Sequence, residues 1–267
     1  MKIGINIWSY PKTLSIKEAL THAKKTGYMG FELSINLDDL NMSESQFNNK
    51  WNEIRELVSS INVEIPSIAT GLFWRFNPII DEDREKALKI VERECIVAQK
   101  LNAKVILVVP AVAISNLSFN EHFNRTILFL REASKIAYNY NVIIGVENVW
   151  NRIFGGPIEF LKLLEDVNED NVKAYFDVGN TLPHSIPEHW IEILKNHIVQ
   201  VHVKDFNLTE FKFGIPLTGD VNWKSVIQRL KMVNYNGYLI AEVPPYKGGS
   251  FKAAEDTYTS LKKIIET

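Results

Sequence analysis

The sequence of 267 residues has a single cysteine, no long apolar run and no excess of either charge. Cys95 alone cannot form an internal disulfide, and no apolar run approaches the roughly 18 residues of a membrane span. The 30 basic and 32 acidic side chains provide no global positive field that would attract nucleic-acid phosphates. The chain opens on the strand-like MKIGINIW rather than on a signal peptide. We therefore expect a cytoplasmic protein that binds neither nucleic acid nor membrane.

Short β-branched runs alternate with longer amphipathic segments from one end of the sequence to the other, which predicts repeated βα units. Eight such units are what a closed parallel barrel requires. The predicted strands begin at Lys2, Gly30, Val63, Lys104, Val142, Val172, Ile198 and Gly237. The predicted helices lie near residues 15–26, 44–61, 82–102, 120–140, 157–166, 187–196 and 222–233, and from Phe251 to the end.

No Gly/Ser- or Pro-rich linker and no shift in composition divides residues 1–267, so we expect one domain. A doubly wound open sheet is the main alternative fold. It would normally carry a Gly-rich phosphate loop after the first strand, where this sequence reads WSYPKTLS. The predicted fold is therefore α/β, a single (β/α)8 TIM barrel.

Four successive predicted strands each reach an acid or a histidine at their C-terminal end. VIIGVE ends at Glu147, VKAYFD at Asp177, IVQVH at His202 and YLIAE at Glu242. Strands of a parallel barrel are buried on both faces, so such a side chain is costly unless it is ligated or hydrogen-bonded. Because the four strands are neighbours, these side chains should converge at the face where barrel enzymes place their active sites.

Three carboxylates in one place repel one another, and a divalent cation removes this conflict. One imidazole with three carboxylates suits Mn²⁺, Mg²⁺ or Co²⁺, and Zn²⁺ also accepts such a set. For any one of the acids alone, a loop cap or a pair with a lysine is the better explanation. For all four residues together, we expect one divalent metal ion as cofactor.

At these residues the sequence resembles a known superfamily. The segments GVENVWN, YFDVGN, VHVKDF and NYNGYLIAE are similar to those of the xylose isomerase-like barrels, a superfamily of sugar and sugar-phosphate isomerases and epimerases. The likeness is closest to the branch of hexulose-6-phosphate isomerases and L-ribulose- or L-xylulose-5-phosphate 3-epimerases. It implies enediolate chemistry with Glu147 and Glu242 as both metal ligands and acid–base residues. Asn180 departs from the Asp-x-x-His spacing of many relatives, which argues against a second metal.

Other polar side chains near the strand ends are candidate substrate contacts. We expect Glu32 to bind a sugar hydroxyl or to orient a neighbour, and the alternative is a salt bridge at the barrel mouth. Asn148 and Asn180 are placed to contact sugar oxygens. Lys204 follows His202 closely and is expected to pair with a neighbour or to reach the substrate.

Aromatic and basic residues in the loops complete the predicted binding site. Trp8, Phe73 and Trp74 are candidates for an apolar wall against the C–H face of a sugar, although aromatic residues there more often simply pack. Lys247, beside two glycines in YKGGS, is the preferred anchor for a substrate phosphate, and Arg75, Arg152 and Lys204 are the other candidates.

Three other functions stay open for this sequence. A dehydratase or isomerase of inositol-type ketones would use similar metal and enolisation chemistry. An endonuclease IV-like phosphodiesterase needs further histidines for three zinc ions, and VEIPSIA and KVILVVP end without one. A non-catalytic sugar-binding barrel is disfavoured by the four intact candidate ligands. The sequence does not decide whether the sugar is phosphorylated, which metal is bound, or whether the chain forms a homo-oligomer.

Overall fold

The computed structural model describes residues 1–247 and 251–266, so Gly248 and Gly249 of the predicted phosphate loop lie outside the described residues. Eight parallel strands close into a barrel, which confirms the predicted fold class. These strands are β1 (Lys2–Asn6), β2 (Gly30–Ser34), β3 (Ser67–Ala69), β4 (Val105–Val108), β5 (Ile143–Glu147), β6 (Val172–Asp177), β7 (Ile198–Val203) and β10 (Tyr238–Ala241). Around the barrel they are paired in the order β1-β10-β7-β6-β5-β4-β3-β2. The remaining two, β8 (Asp205–Asn207) and β9 (Lys212–Gly214), form an antiparallel hairpin beyond β7.

Helices follow the barrel strands along the chain, and each of the eight predicted helices is present. The helices are α1 (Ile16–Thr26), α2 (Leu37–Asn41), α3 (Glu44–Ile61), α4 (Asp81–Leu101), α5 (Phe119–Asn139), α6 (Pro157–Val167), α7 (Val178–Thr181), α8 (Pro187–Leu194), α9 (Trp223–Met232) and α10 (Lys252–Ile265). The short helices α2 and α7 were not predicted. Among the described residues, no helix combines the length and the apolar character needed to cross a bilayer.

Local signals in the sequence account for several helix ends. Gly27 caps α1 with φ of 112°, a left-handed conformation that costs glycine little. Asn102 caps α4 in the same region with φ of 57°. Pro157 opens α6 at its first position, where a missing N–H is no loss.

The third predicted strand is longer than the observed one. The sequence predicted a strand from Val63, but β3 contains only Ser67–Ala69, preceded by one isolated bridge between Gly30 and Glu64. Pro66 explains the difference, because proline has no N–H to donate to the strand ladder.

The interior of the barrel holds many polar side chains, in contrast to the mainly apolar layer between the strands and the helices. Tyr175 lies inside the barrel, and Gly145 on the neighbouring strand makes room for it. A Cβ atom at Gly145 would lie 2.9 Å from Cδ2 of Tyr175. The remaining buried polar side chains of the barrel strands are Asn6, Glu32, Ser67, Glu147, Asp177, Gln200 and His202.

Candidate active site

The strand register brings the four predicted ligands together at the C-terminal end of the barrel. Asp177 pairs with His202 across β6 and β7, and the backbone N–H of Glu242 donates to Val203 just beyond β10, at 3.2 Å. One donor atom from each of Glu147, Asp177, His202 and Glu242 lies within 4.8 Å of the others. The four side chains thus form a compact group that could hold a metal ion.

The group opens on a cavity of about 490 Å³ that Glu147, Glu242 and Lys204 line. Trp8 and Trp74 line the same cavity and are 37% and 49% exposed. A larger cavity of about 570 Å³ lies at the N-terminal end of the strands and contains none of the four residues. We assign the site by its side-chain chemistry, because the described residues that line the larger cavity include no comparable group of acids.

Lys204 lies among the acids and pairs with two of them. Its Nζ is 2.7 Å from Oδ2 of Asp177 and also contacts Glu242. Although burial opposes it, the pKa of Lys204 is raised above its ordinary value by the charges of Asp177 and Glu242. The ring of Phe213, from the β8–β9 hairpin, lies 4.9 Å from Nζ. Lys204 therefore stays charged and supplies part of the positive charge that the acids need.

One lysine does not balance the acids. Burial raises the pKa of Glu147 to about 7, and the charges of Glu242 and Asp177 add to this effect while His202 opposes it. Burial likewise raises the pKa of Asp177, against the opposing charge of Lys204. Oδ2 of Asp177 is buried and accepts no hydrogen bond of good geometry despite its closeness to Lys204. Three carboxylates and an imidazole that are short of positive charge are a donor set that fits a divalent cation.

His202 lies between two glutamates. Its Nδ1 faces Glu147 Oε1 at 3.2 Å, and its Nε2 is 2.8 Å from Oε2 of Glu32. Glu32 is fully buried inside the barrel and does not line the cavity, so it is neither a salt bridge at the mouth nor placed to bind a hydroxyl. Glu32 contacts His202, so the other expectation, that it orients a neighbour, stays a prediction.

Asn148 and Asn180 position Asp177. The side-chain amide of Asn148 donates to the carbonyl oxygen of Asp177 at 2.9 Å and accepts from its backbone N–H at 2.7 Å. The backbone N–H of Asn180 donates to Oδ1 of Asp177, and its amide donates to the carbonyl oxygen of Asn148. Asn180 also lines the cavity, whereas Asn148 is occupied on both sides. Asn180 is therefore better placed than Asn148 to contact a ligand in this cavity.

Only some of the loop residues predicted for the binding site line the cavity. Phe73 is fully buried and packs against Phe129, so it forms no part of the wall that Trp8 and Trp74 provide. Lys247 is exposed and does not line the cavity among the described residues. Arg152 lines a neighbouring cavity of about 240 Å³.

Sequence reasoning missed the residues that surround Glu32. Tyr175 OH and Ser67 Oγ donate to Oε1 of Glu32 at 2.5 and 2.6 Å, and the amide of Asn6 donates to Oε2. One signal was available, since Tyr175 stands two residues before Asp177 in β6 and so points to the same side of the strand. No comparable sequence pattern indicated that Phe213 of the β8–β9 hairpin would line the cavity.

Comparisons with known proteins agree with this geometry. Residues 20–265 match the model of the family described as "Xylose isomerase-like TIM barrel", and the chain belongs to that family. An uncharacterised protein of Methanocaldococcus jannaschii is 29% identical over 208 residues, which cover 71% of this chain and 67% of that protein. The L-ribulose-5-phosphate 3-epimerase UlaE of Escherichia coli is 27% identical over 232 residues, covering 84% of this chain and 80% of the epimerase.

A solved structure extends the likeness to the whole fold. The crystal structure of a D-tagatose 3-epimerase-like protein superposes with a TM-score of 0.84 at 22% identity and covers 100% of this chain and 97% of that one. The predicted xylose isomerase-like family is thus confirmed. The names of these relatives agree with the prediction of an isomerase-class enzyme.

Proposed function

We propose that the protein is a divalent-metal-dependent sugar or sugar-phosphate epimerase. The observation that carries this proposal is the group of Glu147, Asp177, His202 and Glu242, whose donor atoms lie within 4.8 Å of one another beside an aromatic-walled cavity. The named activity of the Escherichia coli relative, an L-ribulose-5-phosphate 3-epimerase, supports the choice of reaction.

The four side chains would hold the cation, with Nδ1 of His202 turned toward Glu147 and Glu242. A divalent ion bound there supplies a positive charge that polarises adjacent sugar oxygens and makes the intervening C–H more acidic. Among residues 1–247 and 251–266 this is the only group of its kind, which supports a single ion over the three zinc ions of an endonuclease IV-like site.

Glu147 and Glu242 are the proposed acid–base pair. Glu147 ends β5 and Glu242 follows β10, and β6 and β7 lie between these strands in the barrel. The two carboxylates therefore reach the cavity from different positions on the barrel wall. One can remove a proton from a carbon while the other returns a proton to the opposite face of the same carbon, which is what epimerisation requires.

The surrounding side chains would bind and orient the sugar. Trp8 and Trp74 offer apolar surface to C–H groups. Lys204, held charged by Asp177 and Glu242, can donate a hydrogen bond to a sugar oxygen that gains negative charge. Asn180 offers a further contact at the cavity edge.

We expect the substrate to be a phosphorylated ketose, and two basic residues compete as the anchor of the phosphate. Lys247 follows β10, whereas Arg152 lines the 240 Å³ cavity next to the active-site cavity and has φ of 66°, a rare conformation for a side-chain-bearing residue. Lys247→Ala and Arg152→Ala separate them. The anchor's variant should raise KM for the phosphate ester much more than KM for the free sugar, and faster wild-type turnover of the free sugar would reject a phosphorylated substrate.

The most direct test of the activity is exchange of substrate hydrogen with solvent. The wild-type protein with Mn²⁺ in D₂O is incubated with a series of ketoses and ketose phosphates, and deuterium at the C–H positions is measured by NMR. We expect incorporation at one carbon next to the carbonyl, lost on chelation and restored by Mn²⁺. Incorporation that continues in metal-stripped protein would contradict the metal's role, and no exchange with any ketose would contradict the function.

A further inference from the structure

We propose that Glu32 is a positioning residue that fixes the tautomer and the orientation of His202 for metal binding. This inference rests on the proposed metal site. Glu32 does not line the cavity, and within the described part of the chain its side chain is hydrogen-bonded to Asn6, Ser67, Tyr175 and His202. Among the described residues, Glu32 therefore makes its contact with the candidate metal ligands through His202.

The two nitrogens of His202 face different environments. Nε2 is 2.8 Å from Oε2 of Glu32, at the buried side of the ring. Nδ1 is 3.2 Å from Oε1 of Glu147 and 3.9 Å from Oε2 of Glu242, at the side of the candidate metal ligands. A neutral imidazole carries its proton on one nitrogen only. If Nε2–H donates to Glu32, the lone pair of Nδ1 is free to bind the cation.

Glu32 is suited to be a fixed acceptor. Ser67 and Tyr175 donate to Oε1, while Asn6 and His202 share Oε2, so each carboxylate oxygen has two neighbours. The carboxyl group is fully buried and cannot rotate without losing these contacts. A carboxylate held in this way selects the Nε2–H tautomer and increases the basicity of Nδ1.

Tyr175 fixes the ring from a second direction. Its ring centroid lies 4.5 Å from that of His202, and its hydroxyl is bound to the same carboxylate. Gly145 leaves the space that Tyr175 needs inside the barrel. The ring plane and the protonated nitrogen of His202 are thus determined by residues that never meet the substrate.

The test compares two substitutions at Glu32 with a matched control. Glu32→Met removes the acceptor at similar size, Glu32→Gln retains a carbonyl acceptor without the charge, and Ser67→Ala removes one partner of Glu32 without touching His202. The dissociation constant for Mn²⁺ is measured by titration of each metal-stripped protein. We expect Glu32→Met to weaken Mn²⁺ binding by about 10- to 100-fold, Glu32→Gln to recover part of this loss, and Ser67→Ala to stay close to wild type.

A purely structural role for Glu32 would lower the melting temperature of these variants and leave the Mn²⁺ affinity of the folded fraction unchanged, which would overturn the proposal. Wild-type protein that binds no divalent ion would instead refute the metal site on which it rests. Should the variants fail to fold, the tautomer of His202 is determined by ¹⁵N NMR of the histidines in the Zn²⁺-loaded wild type. The signal of His202 is assigned by comparison with His202→Gln. We expect the Nε2–H tautomer, and Nδ1–H would contradict the proposal.

Discussion

Glu32 and Glu94 are equally buried on opposite sides of the barrel wall, but their pKa values are shifted in opposite directions. Glu32 on β2 lies inside the barrel, where His202 and the hydroxyls of Ser67 and Tyr175 lower its pKa against the effect of burial. Glu94 on α4 is as deeply buried, but within the described part of the chain neither of its carboxyl oxygens has a hydrogen-bond partner. Burial therefore raises the pKa of Glu94 well above 4.5, and the charge of Glu32 adds to this.

The difference lies in the partners that each region provides. Around Glu32 the barrel interior supplies hydroxyl and amide donors and the imidazole of His202, so it holds this carboxylate in its charged form. The layer between strands and helices supplies apolar contacts, and a carboxyl group there is tolerated mainly when it is protonated. Burial alone thus does not identify a functional acid.

The largest expected effect is on catalysis. Glu147→Gln should reduce turnover by about 10²- to 10⁴-fold because an amide cannot accept a proton. Glu94→Gln, in the helix layer, should leave turnover unchanged. Metal content is measured beside the rate, since weaker metal binding would mimic the loss. Turnover of Glu147→Gln near that of wild type would remove this residue from the acid–base role.

Replacing the two buried glutamates with methionine should change the free energy of unfolding in opposite directions. Glu32→Met leaves His202 and three other donors without their acceptor and should lower the free energy of unfolding by about 3–5 kcal/mol. Glu94→Met replaces an unpartnered carboxyl group with an apolar side chain of similar size and should raise it by about 1–3 kcal/mol at pH 8. Urea denaturation of both variants checks this, and a loss of stability in Glu94→Met would show that Glu94 has a partner.

A smaller effect concerns pH. A carboxyl group whose folded pKa is raised stabilises the fold fully below its unfolded pKa, near 4.5, and this contribution is lost as pH rises toward the folded pKa. Wild type should therefore lose stability relative to Glu94→Gln between pH 5 and 8, by at most about 1.4 kcal/mol per pH unit. The exposed Glu92 on the same helix gives the control, Glu92→Gln. Parallel pH curves for wild type and Glu94→Gln would contradict the raised pKa.

Much of the fold could be predicted because periodicity alone separates strands from helices and eight repeats define the barrel. The four candidate ligands were predictable because each interrupts the end of an apolar strand. The partners of Glu32 were not, since Ser67 and Tyr175 meet it only through closure of the barrel. The β8–β9 hairpin lacks a typical turn sequence, and Phe211 in its turn adopts φ of 50°, which no pattern indicated.

The proposed cation site of Glu147, Asp177, His202 and Glu242 should bind one divalent ion. The most direct measurement is titration of metal-stripped wild-type protein with Mn²⁺, monitored by calorimetry. The melting temperature with and without Mn²⁺ is measured as well, and the variant Asp177→Asn is compared in both experiments. We predict one Mn²⁺ per chain and a higher melting temperature on binding, both strongly reduced in Asp177→Asn because a charged ligand is lost. No binding by the wild type, or equal binding by both proteins, would contradict the account.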